Sequence, residues 1–220
     1  MKDVLAAELQ NYLRSLLPAL SEVAEEQKKE AEERHIPIVE DEVANLLGLL
    51  VQMANSEHIL EIGTAIGRSA VAMAEKLPAQ GRLLTIEMDE DRYKRAQYYF
   101  QKSGLSEKIE LVLADAREYL PHLAEEKPKC FDFIFLDAAK GQYLNFFPYL
   151  DEMLAAGGII VADNVLLNGW VVDLSYPNHR RKTFVYRMRE FLEGIRNNSK
   201  YDSSLVPLGD GVLILRKKEN

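Results

Sequence analysis

FDFIFLDAAKGQYLNFFPYLDEMLAAGGIIVADNVLLNGW, residues 131–170, carries two apolar strand-like runs, FDFIFL and GGIIVA, and each stops on a carboxylate, Asp137 and Asp163. Asn164 follows the second. In an open parallel sheet, ligands bind outside the carboxyl ends of the strands. Both aspartates are therefore expected at one rim, with Asn164 beside them. Two carboxylates, an amide oxygen and room for water suit a hard divalent cation such as Mg²⁺, which takes oxygen ligands. Read singly, either aspartate is better explained as the cap of the following helix. Taken with the glycine motif described below, the cation reading wins.

Working outward, strand candidates at 58–62, 82–87, 108–113, 131–136 and 158–162 alternate with helix patterns at about 68–77, 89–103, 116–125 and 142–155. Such alternation implies a parallel sheet with helices on both faces. A helix over about 180–196 follows. The stretch YDSSLVPLGDGVLILRKK then reads as two strands joined through Gly209-Asp210-Gly211, a hairpin that must bring in an antiparallel strand. Ahead of the sheet, 3–34 reads as two helices broken at Leu17-Pro18, the second of them polar and solvent-facing. Val43, Leu46, Leu47 and Leu50 stand at helical spacing in a third. No repeat or long linker appears, so one domain is expected, with a helical extension over 1–55 and an α/β core over 56–220.

The 220 residues, 47% apolar and 28% charged, suffice for a sizeable core. A net charge of −8 argues against broad nucleic-acid binding but leaves room for a local basic patch. The single cysteine, Cys130, excludes an internal disulfide framework and reads as a small core residue. No run approaches the length of a membrane span, and the amphipathic N-terminus lacks a signal-peptide core, so a cytoplasmic protein is expected.

After the first strand, Glu61-Ile62-Gly63-Thr64-Ala65-Ile66-Gly67-Arg68-Ser69 opens a helix. Glycine lets the backbone turn tightly and approach a ligand. Glu87 closes the second strand 20 residues after Gly67, where an acid takes ribose hydroxyls. Asp115-Ala116 closes the third, where an adenine could meet a side-chain acceptor and a backbone N–H. Glu61 at the mouth of the loop disfavours a pyrophosphate and tolerates a cationic amino-acid ligand, which selects S-adenosylmethionine over NAD. The alternative, that these acids are helix N-caps, fits one of them better than the set.

EIGTAIGRSA, IEMD, FIFLDAAKGQY, ADNVLLNGW and PLGDGVLILRK, in this order and spacing, resemble the cation-dependent O-methyltransferases of the catechol and caffeoyl-CoA type. The likeness runs from about residue 35 onward. It extends, through the His-Ile-Pro-Ile segment at 35–38 and an arginine-rich stretch after the DNV motif, to the branch that methylates 5-hydroxyuridine at the wobble position of bacillar tRNA. The resemblance implies a Rossmann-like class I methyltransferase fold with a seven-stranded, mostly parallel sheet, commonly homodimeric. It also implies S-adenosylmethionine contacts at Val39, Glu61, Gly63, Ser69, Glu87, Ala116 and Asp137, and a general-base role for Lys140. Plant caffeoyl-CoA enzymes tend to read DADK where this chain reads DAAK, which points away from a phenylpropanoid-CoA acceptor.

A metal beside Lys140 disfavours its ammonium form, consistent with a base. Catechols and 5-hydroxyuridine both present two adjacent oxygens to a cation, so the metal motif alone does not separate a small catechol-like acceptor from a tRNA anticodon loop. Arg180, Arg181 and Lys182, with Arg187 and Arg189 beyond them, form the one concentrated basic region and are candidate phosphate contacts. A solvated helix face is the equal alternative. Trp170 and Tyr143 could pack on a planar acceptor or belong to the core, and His35 is more simply structural. A non-catalytic binding module would have no need of Asp137, Lys140, Asp163 and Asn164 together.

Overall fold

The computed structural model describes residues 7–172 and 179–219; at 7, 10 and 179–181 it describes the backbone alone. Seven strands, β1 (His58–Ile62), β2 (Arg82–Glu87), β3 (Ile109–Leu113), β4 (Phe131–Leu136), β5 (Leu154–Ala162), β6 (Tyr201–Val206) and β7 (Val212–Lys217), form one sheet in the order β3-β2-β1-β4-β5-β7-β6. The first five run parallel, and β7 is antiparallel to both β5 and β6. Helices α1 (Ala7–Ser15), α2 (Glu22–Arg34) and α3 (Asp41–Met53) precede β1. Then α4 (Arg68–Ala74), α5 (Glu90–Lys102), α6 (Ala116–Glu126), α7 (Tyr143–Met153) and α8 (His179–Arg196) follow β1, β2, β3, β4 and β5 respectively. Among the described residues no helix is long and apolar enough to cross a membrane.

Both faces of the central strands β1, β2 and β4 are dry, which is why these strands are mostly apolar. On one face Leu47, Val51, Met73 and Phe100 from α3, α4 and α5 pack on Ile59, Phe133 and Val161. On the other, Leu120, Tyr143, Phe146, Met188 and Phe191 from α6, α7 and α8 pack on Leu60, Ile134 and Ile160. Odd and even residues of one strand thus feed two separate cores.

Four expectations need correction. Helix α2 is not wholly solvent-facing: Ala24, Gln27 and Ala31 are buried. The two alanines let the helix sit close, and Gln27 Nε2 donates to the Ile66 carbonyl at 3.0 Å. Glu30 on the same helix accepts from Arg95 and, at 2.6 Å, from the Tyr99 hydroxyl. Helix α4 stops at Ala74 rather than at 77, since Pro78 disfavours helical backbone at the residue before it. Strand β5 begins at Leu154, pairing with Phe131 across a register shift that Gly157, at φ +75°, accommodates. Cys130 lies just before β4 and is exposed.

Gly63 is required by the sheet itself. Its φ is +98°, and a Cβ there would sit 2.2 Å from the carbonyl oxygen of Asp137. Gly104 has a similar backbone (φ +71°) but open space around it. Gly104→Ala should therefore carry only the backbone cost of about 1 kcal/mol. Gly63→Ala adds an overlap worth roughly 1–3 kcal/mol. Thermal unfolding of the two variants checks this: Gly63→Ala should melt lower by several degrees, and equal melting temperatures would contradict the β1–β4 packing described.

Candidate active site

Backbone register builds the site. Ile62 pairs with Ile86 on one side and Leu136 on the other, and Leu136 pairs with Ala162. The next residues, Gly63, Glu87, Asp137 and Asp163, therefore lie level at the carboxyl rim. The ladder runs on through them: Gly63 N–H donates to Ile86 O (3.1 Å), Asp137 N–H to Ile62 O (2.9 Å) and Asp163 N–H to Leu136 O (3.1 Å). Strand order reverses between β1 and β4, so the crevice opens at this rim. A cavity of about 680 Å³ occupies it. Val39, Gly63, Ser69, Glu87, Asp115, Ala116, Asp137, Lys140, Asp163 and Asn164 all line it. Of the residues expected to contact the cofactor or a cation, Glu61 alone lies outside this lining, fully buried in β1.

Glu61 is held by a hydroxyl relay. Thr85 Oγ1 donates to Glu61 Oε2 at 2.5 Å, so its own acceptor position takes the Thr64 hydroxyl at 2.6 Å. Burial pushes the Glu61 carboxyl up to about 7, with the neighbouring Ser69 and Thr85 hydroxyls opposing the effect and the charges of Asp137 and Glu87 adding to it. Oε1 of Glu61 is buried without a partner. An acceptor left over beside a cavity of acids is suited to a cationic ligand. Glu87 is fixed differently: Oε2 accepts from Ala65 N–H (2.8 Å) and Oε1 from Met88 and Asp89 N–H (2.9 Å each). Its carboxylate is locked at the cavity wall, able to accept from hydroxyls. Asp115 is indeed an N-cap: it accepts from Arg117 N–H at 2.9 Å and pairs with the Arg117 guanidinium. Gly67 serves packing rather than ligand approach, since a Cβ there would meet the Phe100 ring at 2.5 Å.

On the other side of the crevice, Lys140 opens a 3₁₀ turn (Lys140–Gln142) and its ammonium is ion-paired with Asp137. Burial lowers the Lys140 pKa, but Tyr143 and Asp137 outweigh it and hold the group above its ordinary value. A base role thus demands that Asp137's charge be taken up by something other than Lys140. Asp163 is 3% exposed, and burial followed by the charge of Asp137 pushes its carboxyl up to about 7. Two aspartates level at one rim, with an amide beside them, make a hard-oxygen donor set. Among the described residues no three His, Cys, Asp or Glu side chains gather as a metal centre, so a cation here would draw its third protein ligand from the amide of Asn164. Tyr143, fully buried, ties both arms together. Its hydroxyl lies 2.9 Å from the carbonyls of Leu136 and Asp163, which share its one proton, and it accepts from Lys140 at 3.0 Å. Tyr143 belongs to the core, not to an acceptor-stacking surface.

The substrate-side residues fare less uniformly. Trp170 is half-buried, its ring 6.1 Å from that of Phe184 on α8, and lies outside the cavity lining. The side chains of Arg180 and Arg181 fall outside the described residues, though their backbone opens α8. Lys182 is half-buried. Arg187 is engaged within the fold, donating to the Gly141 carbonyl at 2.9 Å and so bracing the turn that presents Lys140. His35 caps α2 in left-handed backbone, φ +53°. Sequence reasoning missed Gln27, whose amide holds the cofactor-side loop, and Arg68, buried and paired with Asp41 at 3.2 Å.

Comparison with known proteins bears on this geometry. The family model described as O-methyltransferase matches residues 8–218. The catechol O-methyltransferase of Niastella koreensis is 34% identical over 74% of this chain and 72% of its own. Caffeoyl-CoA O-methyltransferase 1 of Eucalyptus globulus is 32% identical over 78% and 71%. Among solved structures, the O-methyltransferase of Bacillus cereus in complex with SAH superposes with a TM-score of 0.86 at 27% identity, covering 96% of this chain and 97% of that one. The Streptomyces achromogenes O-methyltransferase TomG, in complex with SAM, gives 0.86 at 28% identity over the full length of both. With the seven-stranded sheet, the crevice at its switch point and a family model spanning nearly the whole chain, this protein belongs to the O-methyltransferase family and is an S-adenosylmethionine-dependent enzyme.

Proposed function

We propose that the enzyme transfers a methyl group to one hydroxyl of a ring bearing two adjacent oxygens, a catechol-type small molecule, with Mg²⁺ or another hard divalent cation at Asp137, Asp163 and Asn164. The observation that carries this is the pair of aspartates level at the rim, one of them buried and raised to about 7 by that burial and then by the other's charge, next to an amide and a lysine. S-adenosylmethionine is assigned to Val39, Glu61, Gly63, Ser69, Glu87, Asp115, Ala116 and Asp137. In this assignment Glu61 takes the ammonium group, Glu87 the ribose hydroxyls, and Asp115 with the Ala116 N–H the adenine. When bound, the cation supplies positive charge that lowers the pKa of an adjacent hydroxyl. Lys140 is an ammonium while paired with Asp137; with a cation on Asp137 it would lose that partner, release its proton to solvent and, as the free amine, take the hydroxyl proton. The walls of the crevice hold acceptor and methyl donor in line and exclude water, which accounts for much of the rate. Exposed Tyr12 on α1, Leu16 just beyond it and Met53 at the end of α3 support the expected homodimer.

A second reading, 5-hydroxyuridine of a tRNA anticodon loop, is supported by the basic run at the start of α8. There Arg180 and Arg181 belong by sequence, and Lys182 and Arg189 are half-buried. One experiment separates the two. The enzyme is assayed on 3,4-dihydroxybenzoate, and tRNA nucleosides of a deletion strain are weighed by mass spectrometry. Methylated catechol that disappears with EDTA, alongside unchanged tRNA, supports the small-molecule reading. Accumulated 5-hydroxyuridine replaces it with the second. Neutralising Arg180, Arg181 and Lys182 should leave catechol turnover unchanged; if tRNA is the acceptor, the same variant raises its KM and flattens its salt dependence.

Removing Asp163 should separate the two halves of the crevice. Asp163→Ala is expected to lower turnover roughly 100-fold or more, since even groups standing behind metal ligands are worth roughly 10–100-fold. Calorimetry should find S-adenosylhomocysteine affinity within about twofold of wild type; affinity lost in step with activity would contradict the assignment.

The raised Glu61 gives a pH signature. A cationic ligand prefers the ionised carboxylate, and in the free protein that form is lost as pH falls through about 7. S-adenosylmethionine affinity should therefore rise with pH between 5.5 and 7, by at most about tenfold per unit. Glu61→Gln should flatten this slope and weaken binding at pH 8 by about tenfold or more. A slope that survives the substitution would move the titrating group elsewhere.

A further inference from the structure

The loop that follows Asp163 carries an unusual burden of backbone strain. Asn164, Leu167, Asn168 and Gly169 all have positive φ, at +54°, +51°, +58° and +79°. Left-handed backbone costs a non-glycine residue about 1–2 kcal/mol, and such conformations persist only when their surroundings over-determine them. Within the loop, Leu167 N–H reaches Asn164 O only at 3.4 Å, while Gly169 and Trp170 N–H close local turns on Leu166 O (2.9 Å) and Leu167 O (3.0 Å). At the start of the loop Asn164 N–H donates to the Asp163 carboxylate, Oδ1, at 2.7 Å, but the N–H groups of Val165, Leu166 and Asn168 make no bond within the loop.

The missing constraint comes from the β6–β7 turn. Val165 N–H donates to Gly211 O and Leu166 N–H to Asp210 O, both at 3.0 Å. Asn168 N–H donates to the Asp210 side chain, Oδ1, at 2.5 Å. Gly211, at φ +86°, lets the turn press on the loop, since a Cβ there would meet Leu166 Cγ at 2.3 Å. On its far side Gly209 approaches Val43 Cγ2 of α3, where a Cβ would stand 3.3 Å away. The turn is thus wedged between α3 and the loop, and three of the loop's N–H groups end on residues 210 and 211.

We infer that Asp210 is a positioning residue for the acceptor side of the reaction: its carboxylate, with the turn around it, holds residues 164–170 in the strained conformation that presents Asn164 to the crevice. The assignment rests on the reading of Asn164 as a cation ligand, but the conformational part of it does not. Asp210 does not line the cavity. It acts through Asn168 and Leu166 upon Asn164.

Trp170, the chain's single tryptophan, closes this loop and reports on it. In the full-length protein, Asp210→Ala should shift Trp170 emission to longer wavelength and raise its quenching by acrylamide. Asp210→Asn, which keeps an oxygen for the Asn168 N–H, should leave both near wild type. A displacement of the loop by about 1 Å is enough to cost on the order of 100-fold in turnover. Asp210→Ala should accordingly lose kcat/KM for the catechol acceptor and Mg²⁺ affinity by tenfold or more, with S-adenosylhomocysteine affinity unchanged and Asp210→Asn restoring most of the loss. Unchanged emission and quenching in Asp210→Ala would overturn the inference. So would equal losses in both variants, or cofactor affinity falling together with melting temperature, which would make the residue a general structural support. Altered fluorescence with no catechol activity in the wild type would uphold the clamp and instead reject the acceptor proposed above.

Discussion

Register between parallel strands at the switch point is the constraint on which the site depends. Strand β1 is hydrogen-bonded to β2 on one side and β4 on the other, and β4 to β5, so four chain segments reach the rim on one rung. Loops do not set the relative heights of Gly63, Glu87, Asp137 and Asp163; the ladder does. A slip of one residue in any strand would turn its side chains to the opposite face. Here the two faces feed different cores, Leu60 and Ile134 packing on one and Ile59 and Phe133 on the other. The hydrophobic packing that stabilises the fold therefore also fixes the positions of the acids. Tyr143 adds a direct link, its hydroxyl spanning the carbonyls of Leu136 and Asp163.

Bringing acids to one rung has an electrostatic consequence. Glu61 and Asp163 are both buried and both raised to about 7, each with Asp137 among the causes. Lys140, paired with Asp137, offsets part of this. What would relieve the rest is positive charge brought by ligands. Such a crevice discriminates by sign: it repels a pyrophosphate and attracts an ammonium group or a divalent cation. This is the physical difference between the present rim and that of a dinucleotide-binding sheet, which shares the 3-2-1-4-5 strand order, and it agrees with the O-methyltransferase family assignment.

Much of this was legible in the sequence, because the informative features are local. Strand ends can be read from where apolar runs stop, and Asp137, Asp163 and Glu87 stand at those ends. The parallel order followed from alternating elements. What escaped lies in contacts between distant segments. Gln27 sits in a helix whose composition is polar, yet one amide finding the Ile66 carbonyl is enough to bury it. Asp210 read as a turn residue, and nothing local reveals that its carboxylate serves Asn168. Arg187 read as part of a phosphate-contacting region or of a solvated helix face, but α8 lies across the Lys140–Gln142 turn and the guanidinium meets Gly141. Gly63 and Gly67 were rightly singled out, although the neighbours that require them are a carbonyl and a phenyl ring.

The central claim is that cofactor and divalent cation share one crevice, held by adjacent strand ends. Paramagnetic relaxation tests it most directly. Mn²⁺ is titrated into the enzyme complexed with S-adenosylmethionine carrying a ¹³C-labelled methyl group, in wild type and in Asp163→Ala. The account predicts strong broadening of the bound methyl resonance in the wild type and its loss in the variant. A sharp methyl signal in wild-type enzyme saturated with Mn²⁺ would contradict it.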